Sequence, residues 1–351
     1  MDNLAIDAGM RVSVIDGALV NLLEHYVSPA TAEDVAAAIR HRRDVGAYDS
    51  LTTAIALRDA LTADLLAATN DKHVQLRYHV EPQSLDASRN QFDDPQFLEQ
   101  LHRSMRLGNF GFARVERLGG NVGYLDLRFC APPEWDDCGT VAAAAMTVLA
   151  QTSALIVDVR RNGGGAAGMV DLMCSYLLPA IPERTIHLYD FYYRDGDRTE
   201  QHRTLPSVPG PRYLDRPVFV LTSGRSLSAA ESLAYTLQSL RWATIVGETT
   251  GDAGNPIGMY RIDEHFSITV TNGHTTHPAT GTNWEGTGVV PDMDVPEQDA
   301  AKVAHSVALE GILDVANPSP SSALIDEVRA TLAELGGASR APRNPERAQE
   351  G

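Results

Sequence analysis

Three short, almost wholly apolar runs are each separated by stretches long enough to hold a helix: Ala154–Arg160 (ALIVDVR), Val218–Leu221 (VFVL) and Ala243–Glu248 (ATIVGE). Strands buried on both faces read as continuous apolar runs rather than as alternating ones. Parallel neighbours need a crossover of a dozen or more residues, usually a helix. The runs just before and after the first of them, TVAAAAMTVLAQT and AGMVDLMCSYLLPA, have the length and composition of helices. This alternation predicts an α/β core with parallel strands. TIHLYDFYYR and FSITV are read as further strands of it, and FGFARVERLGGNVGYLDLRFC as a hairpin around Gly119-Gly120-Asn121.

The first 75 residues have a different period. VSVIDGALVNLLEHY, SPATAEDVAAAIRHRR and SLTTAIALRDALTADLLAAT each carry apolar positions at helical spacing. In NDKHVQLRYHVEP the period shifts toward two. Residues 302–316 and 321–336 read as helices, and GGASRAPRNPERAQEG as a disordered polar tail.

Composition narrows the partners. The net charge of -17 opposes binding to nucleic acid or to an anionic membrane surface. No apolar run reaches the roughly 18 residues of a membrane span. The first twenty residues lack a basic leader and an unbroken apolar stretch, so a cytoplasmic location is expected. Cys130, Cys138 and Cys174 form no CxxC pair, which argues against a cysteine zinc site. Three buried thiols are expected, with one Cys130–Cys138 link as the alternative.

Three stretches could carry chemistry. In LTSGRSLSAAESLAYTL, beginning at Leu221, a strand runs into a serine-rich turn that opens a helix. Helix N-termini present N–H groups and positive potential, which suits a developing oxyanion. Ser228 stands at that point. Ser228-x-x-Glu231 also fits a capping box, a structural role that needs no chemistry. In ALIVDVRRNGGGAAGMVDLM, Gly163, Gly165 and Gly168 fit the GxGxxG spacing of a dinucleotide loop. The same glycine N–H groups can hold an oxyanion, or simply turn a strand into a helix. In GTNWEGTGVVPDMDVP, Glu285 lies between Trp284 and Gly286 and could orient a histidine; it also reads as an ordinary loop glutamate.

A serine nucleophile needs a base. His73 follows a long helix at an irregular junction, where a side chain can be aimed. His274 and His277 lie in a turn-rich loop and are weaker candidates. The chain has two lysines, Lys72 and Lys302, among its 29 basic residues, so a lysine base is disfavoured, although Lys72 neighbours His73.

Taken in order, IVDVRRNGGG, LTSGRSLSAAE, VGETTGDAGNP and NWEGTGVVPDMDV resemble the core of the tail-specific (C-terminal-processing) serine peptidases. The N-terminal helices and TNDKHVQLRY resemble the branch that includes interphotoreceptor retinoid-binding protein. The resemblance implies a crotonase-like α/β core, a mixed sheet with flanking helices, behind an N-terminal helical bundle. It makes Ser228 the nucleophile. Ala229 with Gly163 or, more fittingly, Gly164 would supply the oxyanion hole. Where many tail-specific peptidases carry a lysine, this chain has Ala253. The related tricorn protease core uses a histidine and a glutamate instead, and His73 and Glu285 fall at those places. Lys72 stands where tricorn-like proteins have a serine.

No segment is patterned as a PDZ domain. The expected layout is a helical domain over 1–75, a connector over 76–108 with one short helix, a catalytic α/β core over 109–300, helices over 301–336 and a tail over 337–351. The expected activity is hydrolysis of small peptides, or of another acyl substrate, by Ser228, His73 and Glu285 with no cofactor or metal. Nucleic-acid and membrane partners are not expected, and homo-oligomerisation is left open. The rival readings are a lipid- or retinoid-like carrier without catalysis, and a dinucleotide enzyme using the glycine loop.

Overall fold

The computed structural model describes residues 3–83, 90–181, 184–314 and 321–336. In chain order the elements are α1 (Ala8–His25), α2 (Pro29–Asp44), α3 (Ala54–Thr69), β1 (Gln75–Tyr78), α4 (Pro95–Leu107), β2 (Phe112–Leu118), β3 (Val122–Leu127), α5 (Asp136–Leu149), β4 (Ala154–Asp158) and α6 (Ala167–Leu177). They continue with β5 (His187–Tyr193), β6 (Arg198–Arg203), β7 (Val218–Thr222), α7 (Ala229–Ser239), β8 (Thr244–Gly247), β9 (Ile257–Arg261), β10 (Phe266–Thr271), β11 (Gly273–Thr276), β12 (Met293–Asp294), α8 (Glu297–Asp314) and α9 (Ser322–Glu334).

Two compact units interleave along the chain. One holds Met1–Leu107, Thr185–Thr204 and Asp252–Gly288; the other holds Gly108–Arg184, Leu205–Gly251 and Val289–Gly351. This differs from the contiguous layout expected from sequence. The expected tail, 337–351, lies outside the described residues.

In the first unit, the three N-terminal helices do not form a bundle closed on itself. Val14, Ala18 and Leu22 of α1, Val35 and Ile39 of α2, and Leu57, Leu61 and Leu65 of α3 share one apolar cluster with Leu76 of β1 and Phe266, Ile268 and Val270 of β10. β1 pairs antiparallel with β10, Leu76 opposite Ile268, and β10 pairs with β9. A four-residue strand has no stability alone, so β1 recruits a partner nearly 200 residues away. That pairing moves FSITV out of the parallel core and into this unit. TIHLYDFYYR moves as well: it forms β5, antiparallel to β6 and β11. Its mixed aromatic and polar residues suit a half-buried antiparallel strand rather than a strand covered on both faces.

The second unit is the expected mixed sheet with flanking helices. Its order is β12-β8-β7-β4-β3-β2, parallel from β12 to β3, with β2 antiparallel to β3 at one edge. The hairpin turns through Gly120 and Asn121, both at positive φ (72° and 61°). Val122, Tyr124, Ile156, Phe219, Leu221 and Val246 pack with Ala300, Ala304, Ala308 and Leu309 of α8 and with Val328 of α9. The α8 positions recur every four residues, one face of a helix. On the opposite face α5 approaches closely: a Cβ on Gly123 would lie 3.1 Å from Leu149 Cδ2. The three cysteines are unlinked and buried. Among the described residues no helix is long and apolar enough to cross a membrane.

Candidate active site

The serine-rich turn sits where β7 ends, at the carboxyl edge of the parallel sheet. Two of its three serines are structural. Ser226 Oγ donates to Val159 O (2.8 Å) and accepts from Ser223 N–H (3.1 Å). Ser223 Oγ donates to Arg160 O (2.7 Å). Both are fully buried, and they lace the turn after β7 to the turn after β4. Leu227 N–H adds a bond to Asn162 O (3.0 Å).

Ser228 is different. It is half-buried and takes φ 53°, ψ -116° at the head of α7. Residues that only cap helices in this protein are extended: Ser28 at φ -106°, Thr53 at -135° and Ser321 at -61°. A non-glycine residue in so sparsely populated a region costs about 1–3 kcal/mol and persists only where its surroundings over-determine it. Here they do. Ser228 N–H donates to Glu231 Oε2 at 2.7 Å. Glu231 is fully buried, and its Oε1 accepts from the Thr250 hydroxyl at 2.5 Å. Thr250 Oγ1 accepts in turn from Val289 N–H at 2.7 Å. Ser228 and Glu231 thus form the expected capping box at the head of α7, and the same glutamate ties the serine backbone to Thr250.

The glycine turn presses on this serine. Gly164 has φ 106°, and a Cβ on it would lie 2.8 Å from Ser228 Cβ and 3.1 Å from Leu227 O. Its N–H donates to Asn162 Oδ1 at 2.8 Å, so the donor that fitted best from sequence is already engaged within the turn. Gly163 borders open space, with nothing within 4 Å of its Cβ position. Ala229 opens α7, where a backbone N–H has no acceptor inside the helix. Gly165 supports the turn differently, by pairing with Cys130: a Cβ there would meet Cys130 O at 2.2 Å. Gly163–Gly165 therefore packs against the serine turn and β3's exit, with Gly164 closest to Ser228.

His73, Asp71 and Glu285 lie in the other unit. α3 ends at Thr69, and Asn70 turns left-handed (φ 53°) to stop it. Asp71 follows, 4% exposed. Its Oδ1 accepts from His73 N–H at 2.8 Å and lies 3.5 Å from His73 Nδ1. The Tyr26 hydroxyl and Thr271 lie close enough to Asp71 to influence its charge. Thr269 Oγ1 donates to His73 O (2.5 Å), fixing the backbone from β10. Lys72 turns away from the cluster to pair with Asp252 (3.0 Å).

Glu285 joins this group. The ligating atoms of Asp71, His73 and Glu285 lie within 4.8 Å of one another, the one such grouping found among the described residues. Glu285 Oε2 accepts from Gly254 N–H at 2.6 Å, and the Glu285 N–H is held by Asn283 Oδ1 at 2.9 Å. Both carboxylates thus already accept protein N–H or O–H groups, which makes an acid–base cluster of the three. Burial, then the nearby Asp71 charge, pushes Glu285 up to about 7. Burial acts against the Asp71 anion too, but hydrogen bonds from His73 and Thr271 outweigh it and leave Asp71 below the usual carboxylate range. Burial, with Asp71 and Glu285 nearby, raises the Tyr26 hydroxyl strongly.

Glu285 and His73 are thus brought together, as are Ser228, Gly164 and Ala229. His274 and His277 are not part of either group. His274 packs on Tyr192, and His277 is buried, lowered to about 4 by that burial, with Nδ1 accepting from Ala279 N–H. Ala253, at the place of the family lysine, is buried. Sequence reasoning missed Asp71 and Tyr26. Asp71 had a local signal: an aspartate two residues before a target N–H is the spacing of an Asx-turn. Tyr26 had none.

Comparisons with known proteins agree with the fold. Residues 121–295 match the family described as Peptidase family S41, and residues 10–105 match the N-terminal domain of Peptidase_S41 in eukaryotic IRBP. A carboxy-terminal-processing protease of Bartonella bacilliformis is 24% identical over 183 residues, 52% of this chain and 40% of that protein. The chain therefore spans about two fifths of that relative's length. Among solved structures, a lipoprotein from Streptococcus agalactiae superposes with a TM-score of 0.54 at 12% identity, covering 89% of this chain and 100% of that one. The tricorn protease superposes at 0.50 and 14% identity, covering 93% of this chain and 37% of that one. With both regions matched in order and the mixed α/β fold shared, the chain belongs to peptidase family S41.

Proposed function

We propose that this protein is a serine peptidase acting on small peptides through an acyl-enzyme. Ser228 is the nucleophile and His73 its base. The serine proton passes to His73 as Oγ bonds the carbonyl carbon. The oxyanion takes hydrogen bonds from Ala229 N–H and from Gly163 N–H, since Gly164 N–H is held by Asn162 Oδ1. The imidazolium then protonates the leaving amine and the C–N bond breaks. Water, deprotonated by the same histidine, hydrolyses the ester and returns Ser228. Glu285 lies beside His73 in the same cluster as Asp71.

The observation that carries this reading is the conformation of Ser228. Its two neighbouring serines satisfy the turn in relaxed geometry, while Ser228 alone is held at φ 53° by a buried glutamate. A cap needs no such strain. Family membership and the names of the curated relatives support peptide bonds as the target. The segment between His73 and the core is too short for a PDZ domain, which favours short peptides over a gripped protein tail.

A fluorophosphonate probe tests the assignment. Labelling of the folded protein that disappears in Ser228→Ala, together with cleavage of a peptide library read by mass spectrometry, supports the peptidase. Labelling without peptide cleavage supports hydrolysis of another acyl group. No labelling of folded protein rejects the hydrolase and leaves the ligand-carrier reading.

A further inference from the structure

We propose that Asp71, not Glu285, is the ionised carboxylate that positions His73, and that Glu285 carries the cluster's proton at neutral pH as a hydrogen-bond donor. The inference rests on His73 being the general base. It assigns Asp71 as a positioning residue that acts through the histidine.

The geometry distinguishes the two acids. Asp71 belongs to the same tight turn as His73, and its Oδ1 reaches both the backbone N–H (2.8 Å) and the ring Nδ1 (3.5 Å) of that residue. One carboxylate oxygen thereby fixes the main chain and faces one edge of the imidazole, which leaves Nε2 as the nitrogen for a serine proton. The Tyr26 hydroxyl and Thr271 also neighbour Asp71. All of these stabilise an anion. Glu285 is held from the loop after β8, by the N–H groups of Gly254 and Asn255.

Two carboxylates this close and this buried cannot both ionise cheaply, so one proton is retained by the pair. Charges facing the cluster decide which acid keeps it. From the α3–β1 turn come Asp71, His73 and Lys72; from the loop after β8 comes Asp252, which neutralises Lys72 at 3.0 Å; from the end of α1 comes the Tyr26 hydroxyl. From the loop after β11 comes Glu285 itself. Among the described residues His73 is the basic group of this cluster, and it is bound in a turn with Asp71. The opposite directions in which the two acids are shifted agree with this division.

The experiment is an NMR titration of the His73 ring in the full chain, without substrate, beside kcat and KM for a cleaved peptide as functions of pH. In Asp71→Asn, His73 becomes about one to two pH units more acidic, and kcat falls about a thousandfold with little change in KM. In Glu285→Gln, His73 stays within about half a unit of its original titration, and kcat falls by about tenfold at most. Infrared difference spectra at neutral pH show a protonated carboxylic acid band that Glu285→Gln abolishes. A larger shift of His73 in Glu285→Gln than in Asp71→Asn overturns the assignment, as does an acid band that survives Glu285→Gln. Should Asp71→Asn fail to fold, the Glu285→Gln titration and the infrared band decide alone. Absence of hydrolysis with the titration pattern intact removes the peptidase reading and leaves the Asp71 pairing supported.

Discussion

A Cβ on Gly164 would stand 2.8 Å from the Cβ of Ser228. The glycine turn after β4 and the serine turn after β7 therefore share a single fitted surface. Gly164→Ala cannot be accommodated without moving one of them, because the other close neighbour is the backbone oxygen of Leu227. The positive φ of 106° adds strain for any side chain. The expected loss of stability is about 1–3 kcal/mol, seen by urea denaturation. Ser228 labelling by a fluorophosphonate should slow by at least about tenfold, since a misplacement of about 1 Å has a large kinetic cost.

Ser228→Gly should stabilise the fold while abolishing labelling. Glycine accepts φ 53°, ψ -116° without the penalty that serine carries. A gain of about 1 kcal/mol, measured by denaturation against Ser228→Ala as reference, would mark the strain as maintained for chemistry. A loss in Ser228→Gly would show that the serine hydroxyl has a structural task instead.

Ser226→Ala should behave in the opposite way. It removes a buried hydroxyl that joins Val159 O to Ser223 N–H, at a cost of about 1–3 kcal/mol. Any probe label on the remaining folded protein should still map to Ser228 by peptide mass mapping.

Glu231→Ala should cost more than either, about 2–4 kcal/mol. It strands the Ser228 N–H and the Thr250 hydroxyl in a buried site. Thermal melts give the stability, and the labelling rate of Ser228 should fall even at temperatures where the variant is fully folded. An unchanged labelling rate would separate the clamp from the nucleophile's geometry.

Glu285 sets a pH dependence of stability. Its folded value, about 7, lies above its ordinary value of 4.5. The native state therefore holds the proton more tightly than the unfolded chain. Its contribution is complete below pH 4.5 and disappears as pH rises through about 7. Asp71 acts in reverse: its lowered value gives stability that is present at neutral pH and lost in acid. Melting temperatures from pH 4.5 to 8 should therefore decline in the natural protein relative to Glu285→Gln. Parallel curves for the two would contradict the burial argument.

Much of the second unit was legible from local pattern. ALIVDVR, VFVL and ATIVGE are almost wholly apolar, which suits a sheet covered on both faces, and the helix-length segments between them favour parallel order. Ser228 and the glycine turn were legible for the same reason: the ends of such strands meet the starts of helices. The order of short motifs likewise pointed to the family.

What the sequence by itself determined is therefore everything governed by near neighbours: the periods of the helices and strands, the turn at Gly120-Asn121, the head of α7. Only the tertiary structure decided that β1 pairs with β10, that TIHLYDFYYR leaves the parallel core, and that Tyr26, Asp71, His73 and Glu285 converge. Those outcomes depend on pairing and burial across some 200 residues of chain, and a side chain's charge depends on what surrounds it in space. Asp71 and Glu285 are both carboxylates in the sequence; only burial among different hydrogen-bond donors drives their acidities apart.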